Sequence, residues 1–404
     1  MKKRIIGICL AAVLAAAGLV GCGEAEQAAS EASVAATESG APTSETGTAN
    51  LIGEDQAAQE PADGTDFSNL KIGEIESYVI NDGGWCQATH ESVVAAMNDL
   101  GIPEENLIVL ENINDADQAS TEAAAEELIS EGCNLIIGTS TGYATFLSPI
   151  AAEHPEVTFA QWGNKTANLV GYDIRSYEGM FLAGYASELM SQDENTELGF
   201  AASMNEFSVR TALNAYALGA KYANPEATVK VASIESWYDP DKESQAAQSL
   251  IDAGIKYMGM EASSPAVPET CEANGAFVVG YHNDMSALAP EAVIVSHTWN
   301  FAPMFKNIMI RVAEGTSTPD DFYYWGGECS KLTDFADFVP EDVVAAVTDL
   351  KAQLDAGEVD IFAGPLNDNN GNVLVAEGAT MADEDIIQQN FFVENVQTTW
   401  KAGE

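Results

Sequence analysis

Basic residues are scarce in this sequence: 16 lysines and arginines stand against 63 aspartates and glutamates in 404 residues, a formal net charge of −47. Residues 1–21 hold Lys2, Lys3 and Arg4 and no acid, so their removal takes the charge from −47 to −50. Such an acidic surface repels phosphate backbones and anionic lipid headgroups. We therefore predict no nucleic-acid partner, and membrane contact only through a covalent anchor.

Histidine and closely spaced cysteine are also scarce. The four histidines, at positions 90, 154, 282 and 297, include no pair at the i, i+4 spacing, and the six cysteines include no CxxC pair. Zinc sites are typically built on such spacings, so we predict no metal and no cofactor. An exported chain could oxidise its cysteines, but the sequence assigns no pairing to Cys86, Cys133, Cys271 and Cys329.

Long apolar runs are absent except at the N-terminus. Three basic residues precede an uncharged run from Ile5 to Val20, and Leu19-Val20-Gly21-Cys22 resembles the lipobox of bacterial lipoproteins. This is the layout of an export signal, and no later run reaches the ~18 apolar residues of a membrane span. We predict a lipoprotein signal peptide over residues 1–21 and a lipid on Cys22. The protein is then expected at the extracellular face of a bacterial cell membrane.

The segment that follows is polar. Residues 24–67 are rich in Ala, Glu, Ser, Thr and Gly and nearly devoid of large apolar side chains. Such a segment buries too little surface to offset the entropy of ordering, so we predict a flexible acidic tether over residues 22–68. The rest of the chain exceeds the size at which one core usually stops growing, so two lobes are expected.

From Leu70 onward, short β-rich runs alternate with helical patterns. The first series is LKIGEIES, NLIVLENI, CNLIIGTS, EVTFAQW and NLVGYDI, and the scheme restarts with LGFAAS, TVKVASIESW, YMGMEAS and AFVVGYHND. This alternation predicts an α/β fold with two Rossmann-like lobes, parallel sheets and a ligand cleft between them. We predict a first lobe at 69–175, a second lobe at 176–295, and a return segment at 296–404 that contributes to both lobes.

Tryptophan recurs where these strands end. Trp85 follows the first strand, within NDGGWCQATHESV at positions 81–93, and Trp162, Trp237 and Trp299 follow later strands. Ligands bind outside the carboxyl ends of parallel strands, and an aromatic ring stacked on a base contributes about 1–3 kcal/mol. We therefore predict a slot for a flat aromatic ligand between indoles that face each other across the cleft.

Acidic and small residues accompany the tryptophans. Asp82 and Asp284 offer acceptors to donors on a ligand, although Asp82 could instead cap the following helix. Gly83 and Gly84 let the backbone come close to a ligand. Neither a Gly-Lys-Ser/Thr sequence nor GxGxxG spacing follows, so the loop does not match a phosphate cradle.

The sequence GTSTG at 138–142 supports a different class of function. It fits GxSxG between a strand and a helix, the context of a hydrolase nucleophile, which would be Ser140. Against catalysis, this strand belongs to the first of two matched halves, and no HGG-type oxyanion segment is present. In a two-lobe binding protein the same turn contacts the ligand, and we assign Thr139 to that role. A surface-anchored serine hydrolase and a sensing lipoprotein without transport are the alternatives.

Five segments resemble the basic-membrane-protein family of bacterial lipoproteins. They are the loop from Asn81, SYEGMFLAGYASELM at 176–190, SWYDPDKESQAAQSLIDAG at 236–254, VVGYHND at 278–284 and AGPLNDNNGNV at 363–373. The likeness covers about residues 70–400, and the segment at 176–190 is its most specific match. That family supplies the substrate-binding components of ABC importers for purine nucleosides, with a type I periplasmic-binding-protein fold. The resemblance implies a protein that presents a purine to an ABC permease, and we expect it to be a monomer.

On the family pattern, Trp85 and Trp237 take the positions of stacking aromatics, Gln87 that of a glutamine and Asp284 that of a second aspartate. The chain departs from the pattern at four positions: Cys86 for asparagine, Ser92 for glycine, His282 for the first aspartate and Trp299 for lysine. Losing an acid and a lysine weakens the case for a ribose, so a free nucleobase stands level with a nucleoside. The predicted ligand-contacting residues are Asp82, Trp85, Cys86, Gln87, Thr139, Trp162, Trp237, Asp284 and Trp299.

Overall fold

A computed structural model of the chain describes residues 50–52, 60–163, 165–191 and 197–402. Within these ranges the strands are β1 (Asn50–Ile52), β2 (Ile72–Ile75), β3 (Leu107–Leu110), β4 (Leu135–Gly138), β5 (Thr158–Trp162), β6 (Val170–Ile174), β7 (Leu198–Ala202), β8 (Val229–Ser233), β9 (Tyr257–Glu261), β10 (Phe277–Gly280), β11 (Val293–Trp299), β12 (Asp321–Trp325), β13 (Ser330–Leu332), β14 (Leu366–Asn367), β15 (Val373–Val375) and β16 (Val396–Gln397). The α-helices are α1 (Trp85–Leu100), α2 (Gln118–Ser130), α3 (Ala144–Glu153), α4 (Ser176–Ser191), α5 (Phe207–Ala223), α6 (Pro240–Asp252), α7 (Ala266–Asn274), α8 (Ala302–Ala313), α9 (Glu341–Asp355) and α10 (Asp383–Ile387).

Two seven-stranded sheets organise the described residues. The first has the order β1-β12-β6-β5-β4-β2-β3, and every pairing in it is parallel. The second has the order β13-β11-β10-β9-β7-β8-β16 and is parallel except where β13 runs antiparallel to β11. The strands β14 and β15 form a separate antiparallel pair. Parallel strands joined by helices are the pattern that the alternating sequence predicts.

The chain passes between the two sheets three times. It leaves the first sheet after β6 and enters α4, returns from β11 through α8 to β12, and crosses again from β12 to β13. The strand β11 continues past position 295, where the sequence places a lobe boundary, and ends at Trp299, with six of its seven residues buried. Both sheets therefore receive strands from the return segment.

Local sequence explains where the helices begin and end. The helix α1 buries Val93, Ala96 and Met97 on one face and ends at Gly101, whose φ of 67° is the left-handed conformation of a C-terminal cap. The helix α6 begins where the Asp239 side chain accepts a hydrogen bond from the amide of Lys242, with proline in its first turn.

The helices α4 and α5 cross at two glycines. A Cβ atom added to Gly184 would lie 1.9 Å from the carbonyl oxygen of Tyr216, and one added to Gly219 would lie 1.9 Å from that of Phe181. No side chain fits at such distances, so the crossing requires glycine in both helices. Gly184 belongs to the segment 176–190 that the sequence marks as its most specific motif.

The tether prediction over residues 22–68 is wrong in part. Residues Asn50–Ile52 form β1, which pairs in parallel with the edge strand β12. Farther along, the amide of Ala62 and the hydroxyl of Thr65 donate to Glu314 Oε1 at 2.8 and 2.9 Å. An unpaired edge strand offers backbone groups that a short extended segment satisfies, so composition alone mispredicts the segment. The predicted signal peptide and Cys22 lie outside the described residues, and none of the described helices is long and apolar enough to cross a membrane.

Two buried glutamates lie at the end of β2. Glu74 and Glu76 are fully buried; the hydroxyls of Thr89 and Thr139 each donate to Glu76 at 2.7 Å, and Glu74 Oε2 lies 2.9 Å from Nδ1 of His90. Burial raises the pKa of Glu74 to about 7. Burial, followed by the neighbouring charge of Glu74, raises the pKa of Glu76 well above 4.5. The pair therefore keeps at least one proton at neutral pH.

We predict that the protein loses stability as the pH rises from 5 to 8. A carboxyl group with a raised pKa in the folded state favours folding below its ordinary pKa of 4.5, and this contribution is lost as the pH rises through its folded value of about 7. Between pH 5 and 8, a pKa rise of that size lowers the free energy of unfolding by at most about 3 kcal/mol. Thermal unfolding of Glu74→Gln should show a smaller fall in Tm over this range than the wild type does.

The control is Glu105→Gln, which removes one charge from an exposed position. Its Tm should fall with pH as the wild-type Tm does, because repulsion among the many surface acids changes little. Parallel curves for Glu74→Gln and the wild type would contradict the assignment to Glu74.

Candidate functional site

A cavity of about 60 Å³ lies where strands of both sheets end. Its lining lies at or after the ends of β2, β3, β4 and β5 of the first sheet and of β7, β8, β9, β10 and β11 of the second. The carboxyl ends of parallel strands are the usual place for ligands in α/β proteins. The lining residues are Ser77, Tyr78, Asp82, Trp85, Cys86, Asp115, Thr139, Ser140, Thr141, Trp162, Ser208, Trp237, Glu261, Ser263, His282 and Trp299.

Most of the predicted ligand-contacting residues meet in this lining: Asp82, Trp85, Cys86, Thr139, Trp162, Trp237 and Trp299. Gln87 and Asp284 are not part of it. The Gln87 amide donates to Glu91 Oε1 at 2.8 Å along the surface of α1. Asp284 is exposed, and its carboxylate accepts a hydrogen bond from the amide of Ser286 at 2.9 Å. Sequence spacing places both residues near a strand end, but each side chain forms a hydrogen bond with a residue close to it in the sequence.

Trp85 is held in place by other aromatic rings. Its ring centroid lies 4.8 Å from that of Trp162 and 5.2 Å from that of Trp299, at interplanar angles of 56° and 88°. Its indole nitrogen donates to the carbonyl oxygen of Thr139 at 2.9 Å. Tilted and edge-to-face pairs of this kind are favourable, so the indole has a fixed orientation in the cavity wall.

Trp237 lines the cavity from the loop after β8, in the other sheet. Among the described residues its ring makes no contact with that of Trp85, whose neighbours are Trp162, Trp299, His282 and Phe301. Two indoles that share a cavity without touching are what a ring stacked between them requires.

Asp82 forms its hydrogen bonds with the first amides of helix α1 rather than with a group in the cavity. Its carboxylate accepts hydrogen bonds from the amides of Gly84, Cys86 and Gln87 at 2.8, 3.2 and 3.1 Å. These are orphan donors at the start of α1. Burial raises the pKa of Asp82, and the three amide bonds oppose that rise. The alternative in which Asp82 caps the helix therefore describes its contacts better than a ligand acceptor does.

His282 and Glu261 are two of the polar lining residues that the sequence does not predict as ligand contacts. The His282 side chain is buried, and neither ring nitrogen has a hydrogen-bond partner within the part of the chain that the structure describes. Glu261 accepts a hydrogen bond from the Ser203 hydroxyl. Burial lowers the pKa of His282 to about 3 and raises that of Glu261 to about 7. Both residues directly follow or end buried apolar strands, which is the signal that could have found them.

Ser140 is not paired with a histidine. Its hydroxyl donates to the carboxylate of Asp115, and its carbonyl oxygen accepts from the Gln161 amide at 2.6 Å. A serine nucleophile needs an adjacent general base that can take its proton. The contacts of Ser140 instead tie one lining loop to another.

The cavity wall contains no cation. Neither lysine nor arginine contributes to its lining, whereas Asp82, Asp115 and Glu261 do. An anionic ligand would therefore lose its hydration without gaining a countercharge. Among the described residues no group of three or more His, Cys, Asp or Glu could hold a metal ion.

Known proteins resemble this chain along most of its length. A family model described as ABC transporter substrate-binding protein PnrA-like matches residues 70–325. Over 331 residues the chain is 29% identical to a purine-binding protein of Brucella abortus, covering 81% of this chain and 93% of that protein. Over 290 residues it is 29% identical to a Haloferax volcanii protein whose name provisionally assigns it to glucose binding in an ABC transporter, covering 70% and 72%.

The fold has relatives among solved structures. An ABC transporter solute-binding protein of Aeropyrum pernix superposes with a TM-score of 0.60 at 17% identity, covering 73% of this chain and 94% of that one. The predicted type I periplasmic-binding-protein fold is thus confirmed. Because the family model also covers more than half of the sequence, the chain belongs to the PnrA-like family of ABC transporter substrate-binding proteins.

Proposed function

We propose that this chain binds a purine, as a free base or a nucleoside, and delivers it to the permease of an ABC importer. The observation that carries the proposal is the wall of four indoles, Trp85, Trp162, Trp237 and Trp299, around a cavity without a cation. Indoles stack on flat heterocycles, and a site without a cation favours a neutral ligand over an anion. The purine-binding relative in Brucella abortus supports the same ligand class. In this role the protein is a monomer and not an enzyme.

The cavity volume alone leaves the free base and the nucleoside level. A volume of about 60 Å³ holds roughly four to six waters, at about 10–15 Å³ for each. A purine base already has more heavy atoms than that, and a ribose would roughly double their number. Either ligand therefore requires the lining side chains to move apart.

A sugar is the second candidate, because of the name of the Haloferax volcanii relative. A monosaccharide carries hydroxyl groups around its whole ring, and each needs a partner when it is buried. Among the described lining residues, the buried polar atoms that lack partners are the ring nitrogens of His282 and the indole nitrogen of Trp299. Three unpaired polar atoms match the few hydrogen-bonding groups of a flat heterocycle better than the many hydroxyl groups of a sugar.

Calorimetry with adenine, hypoxanthine, guanine, their nucleosides and glucose tests the ligand class. At least one purine should bind, and Trp85→Ala or Trp237→Ala should weaken its binding at least ~10-fold, because one stacked ring contributes about 1–3 kcal/mol. Trp400→Ala is the control, since Trp400 lies outside the cavity lining and donates to Glu235 at 2.8 Å. Binding of glucose and of no purine would overturn the proposal.

Three of the contacts between the two sheets join loops that follow their strands. The side-chain amide of Asn283 donates to the carbonyl oxygen of Gly84 at 2.8 Å, and the rings of Tyr78 and Tyr238 lie 5.6 Å apart. A Cβ atom on Gly84 would lie 2.1 Å from the carbonyl oxygen of Ser263. Each contact links a loop after β2 to a loop after a strand of the second sheet. We propose that these contacts close over a bound ligand and open at the permease. In this way the protein would carry the ligand to the transporter.

Gly84→Ala should weaken purine binding at least ~10-fold without unfolding the protein. The added methyl group meets the backbone of Ser263, so the loops cannot reach their closed distance. The residue itself has φ −135° and ψ −125°, outside the regions that alanine readily occupies, so a moderate fall in Tm should accompany the loss of affinity. Calorimetry gives the affinity, and small-angle scattering should show a smaller compaction with ligand than the wild type shows.

Gly101→Ala is the matched control at the other end of the same helix. It forces a side chain into a left-handed φ of 67° but meets no atom within 4 Å. Its Tm should fall, whereas its affinity for the purine should stay at the wild-type value. Wild-type affinity in Gly84→Ala would show that closure does not depend on this contact.

We also propose that a lipid on Cys22 holds the protein at the extracellular face of the membrane. The support is the sequence Leu19 to Cys22 at the end of an apolar run, and the family's work beside a membrane permease. In fractionated cells, Cys22→Ala should leave the membrane fraction and lack the mass of a lipid. Cys9→Ala, within the apolar run, should stay membrane-bound. Equal membrane retention of both variants would contradict the anchor.

A further inference from the structure

His282 is a buried polar side chain that nothing in the described protein satisfies. Its side chain is 2% exposed, it lines the cavity, and neither Nδ1 nor Nε2 has a hydrogen-bond partner among the described residues. The nearest carboxylate oxygen, Oε1 of Glu261, lies 3.9 Å from Nε2, beyond hydrogen-bond distance. Leaving such atoms unpaired destabilises a fold. Two unpaired nitrogens in a binding cavity therefore indicate that their hydrogen-bond partners are atoms of the ligand.

Aromatic rings fix the orientation of this imidazole. It stacks at 26° on Trp299 with centroids 6.1 Å apart, meets Trp85 edge-on at 5.8 Å, and lies 4.6 Å from the ring of Tyr281. The backbone of His282 has a φ of 70°, a left-handed value that histidine adopts more readily than most residues. Packing alone thus holds the ring in place, and its nitrogens stay available.

The protonation state of His282 defines what it can recognise. Burial, with a smaller contribution from His297, lowers the pKa of His282 to about 3, so the ring is neutral from pH 5 to 8. A neutral imidazole carries one N–H donor and one acceptor nitrogen. The indole nitrogen of Trp299, buried in the same lining and also without a partner among the described residues, adds a second donor.

We propose that His282 is a specificity-determining residue, which binds the ligand through both ring nitrogens and selects a neutral heterocycle with an N–H donor and an acceptor nitrogen or oxygen. Trp299 supplies a further donor to an acceptor on the same ligand. This inference rests on the proposed purine site and extends it, because it identifies the side chain that distinguishes one flat ligand from another. Stacking on the indoles tolerates many rings, whereas paired donors and acceptors reject those that lack them.

The test compares ligands that differ in one ring atom. Benzimidazole has an N–H and an acceptor nitrogen, whereas indole has the N–H alone. The wild type should bind adenine or hypoxanthine most tightly and should prefer benzimidazole to indole at least ~10-fold. His282→Phe keeps a flat ring without nitrogens, so it should weaken purine binding at least ~10-fold and bring the benzimidazole-to-indole ratio close to one. Trp299→Phe should weaken purine binding by a smaller factor.

The ligand-free protein gives a second, independent measurement. If His282 has no partner until the ligand binds, His282→Asn should lose less Tm than the same change at a buried histidine that has a hydrogen bond. Both changes remove the packing of a ring, but only the second also removes a hydrogen bond within the protein, and asparagine tolerates the left-handed backbone of His282. The control is His297→Asn. His297 is equally buried, but its Nε2 lies 2.9 Å from the hydroxyl of Ser330 and it is not part of the cavity lining. That variant should lose Tm and keep the purine affinity.

The outcomes separate the two proposals. If the wild type binds no purine, the proposed function fails, and the benzimidazole-to-indole ratio and the Tm of His282→Asn still decide the role of His282. If purines bind but His282→Phe keeps the wild-type affinity and ratio, the role of His282 is overturned and the purine site stands. A fall in Tm for His282→Asn as large as that of His297→Asn would assign His282 to the fold instead of the ligand.

Discussion

The site depends on one constraint: the strands of two parallel sheets end at the same cavity. In a parallel sheet every strand ends at the same edge, so the residues that follow successive strands gather there. Here two such edges share one cavity, which brings Trp85 and Trp162 of the first sheet together with Trp237 and Trp299 of the second. Within the described residues the chain crosses between the sheets three times, and the loop that contains Gly84 accepts a hydrogen bond from Asn283, which follows β10.

Much of this arrangement is predictable from the sequence, because strand alternation and strand-end position depend on short patterns. The α/β class, the parallel sheets and the placement of four tryptophans at strand ends follow from runs of apolar residues and the indoles behind them. The direction of an individual side chain does not follow. Gln87 is two residues beyond Trp85, yet it lies along the surface of α1 and bonds to Glu91, because a helix turns each successive residue by about 100°.

Contacts between distant segments cannot be predicted from short sequence patterns either. The pair Gly83-Gly84 predicts a close backbone approach, and the structure contains one, but the partner of Gly84 is the backbone of Ser263 in the other sheet. The strand β1 arises in a segment of polar composition because the edge of β12 is unpaired without it. In the same way, no pattern reveals that His282 lacks a partner, since that property depends on every side chain around it.

Burial without countercharge explains how so acidic a chain can present a cavity that favours a neutral ligand. With 16 basic residues for 63 acidic ones, few carboxylates can be paired with cations. In the cavity lining, burial raises the pKa of Glu261 to about 7 and lowers that of His282 to about 3, so His282 stays neutral. An anion would lose its hydration there, would find no cation among the described lining residues and would face Asp82 and Asp115. A neutral ring that offers both donors and acceptors avoids this repulsion, and it satisfies the nitrogens of His282 and Trp299 that the described protein leaves unpaired. Selectivity then arises from the solvation of the ligand as much as from the shape of the cavity.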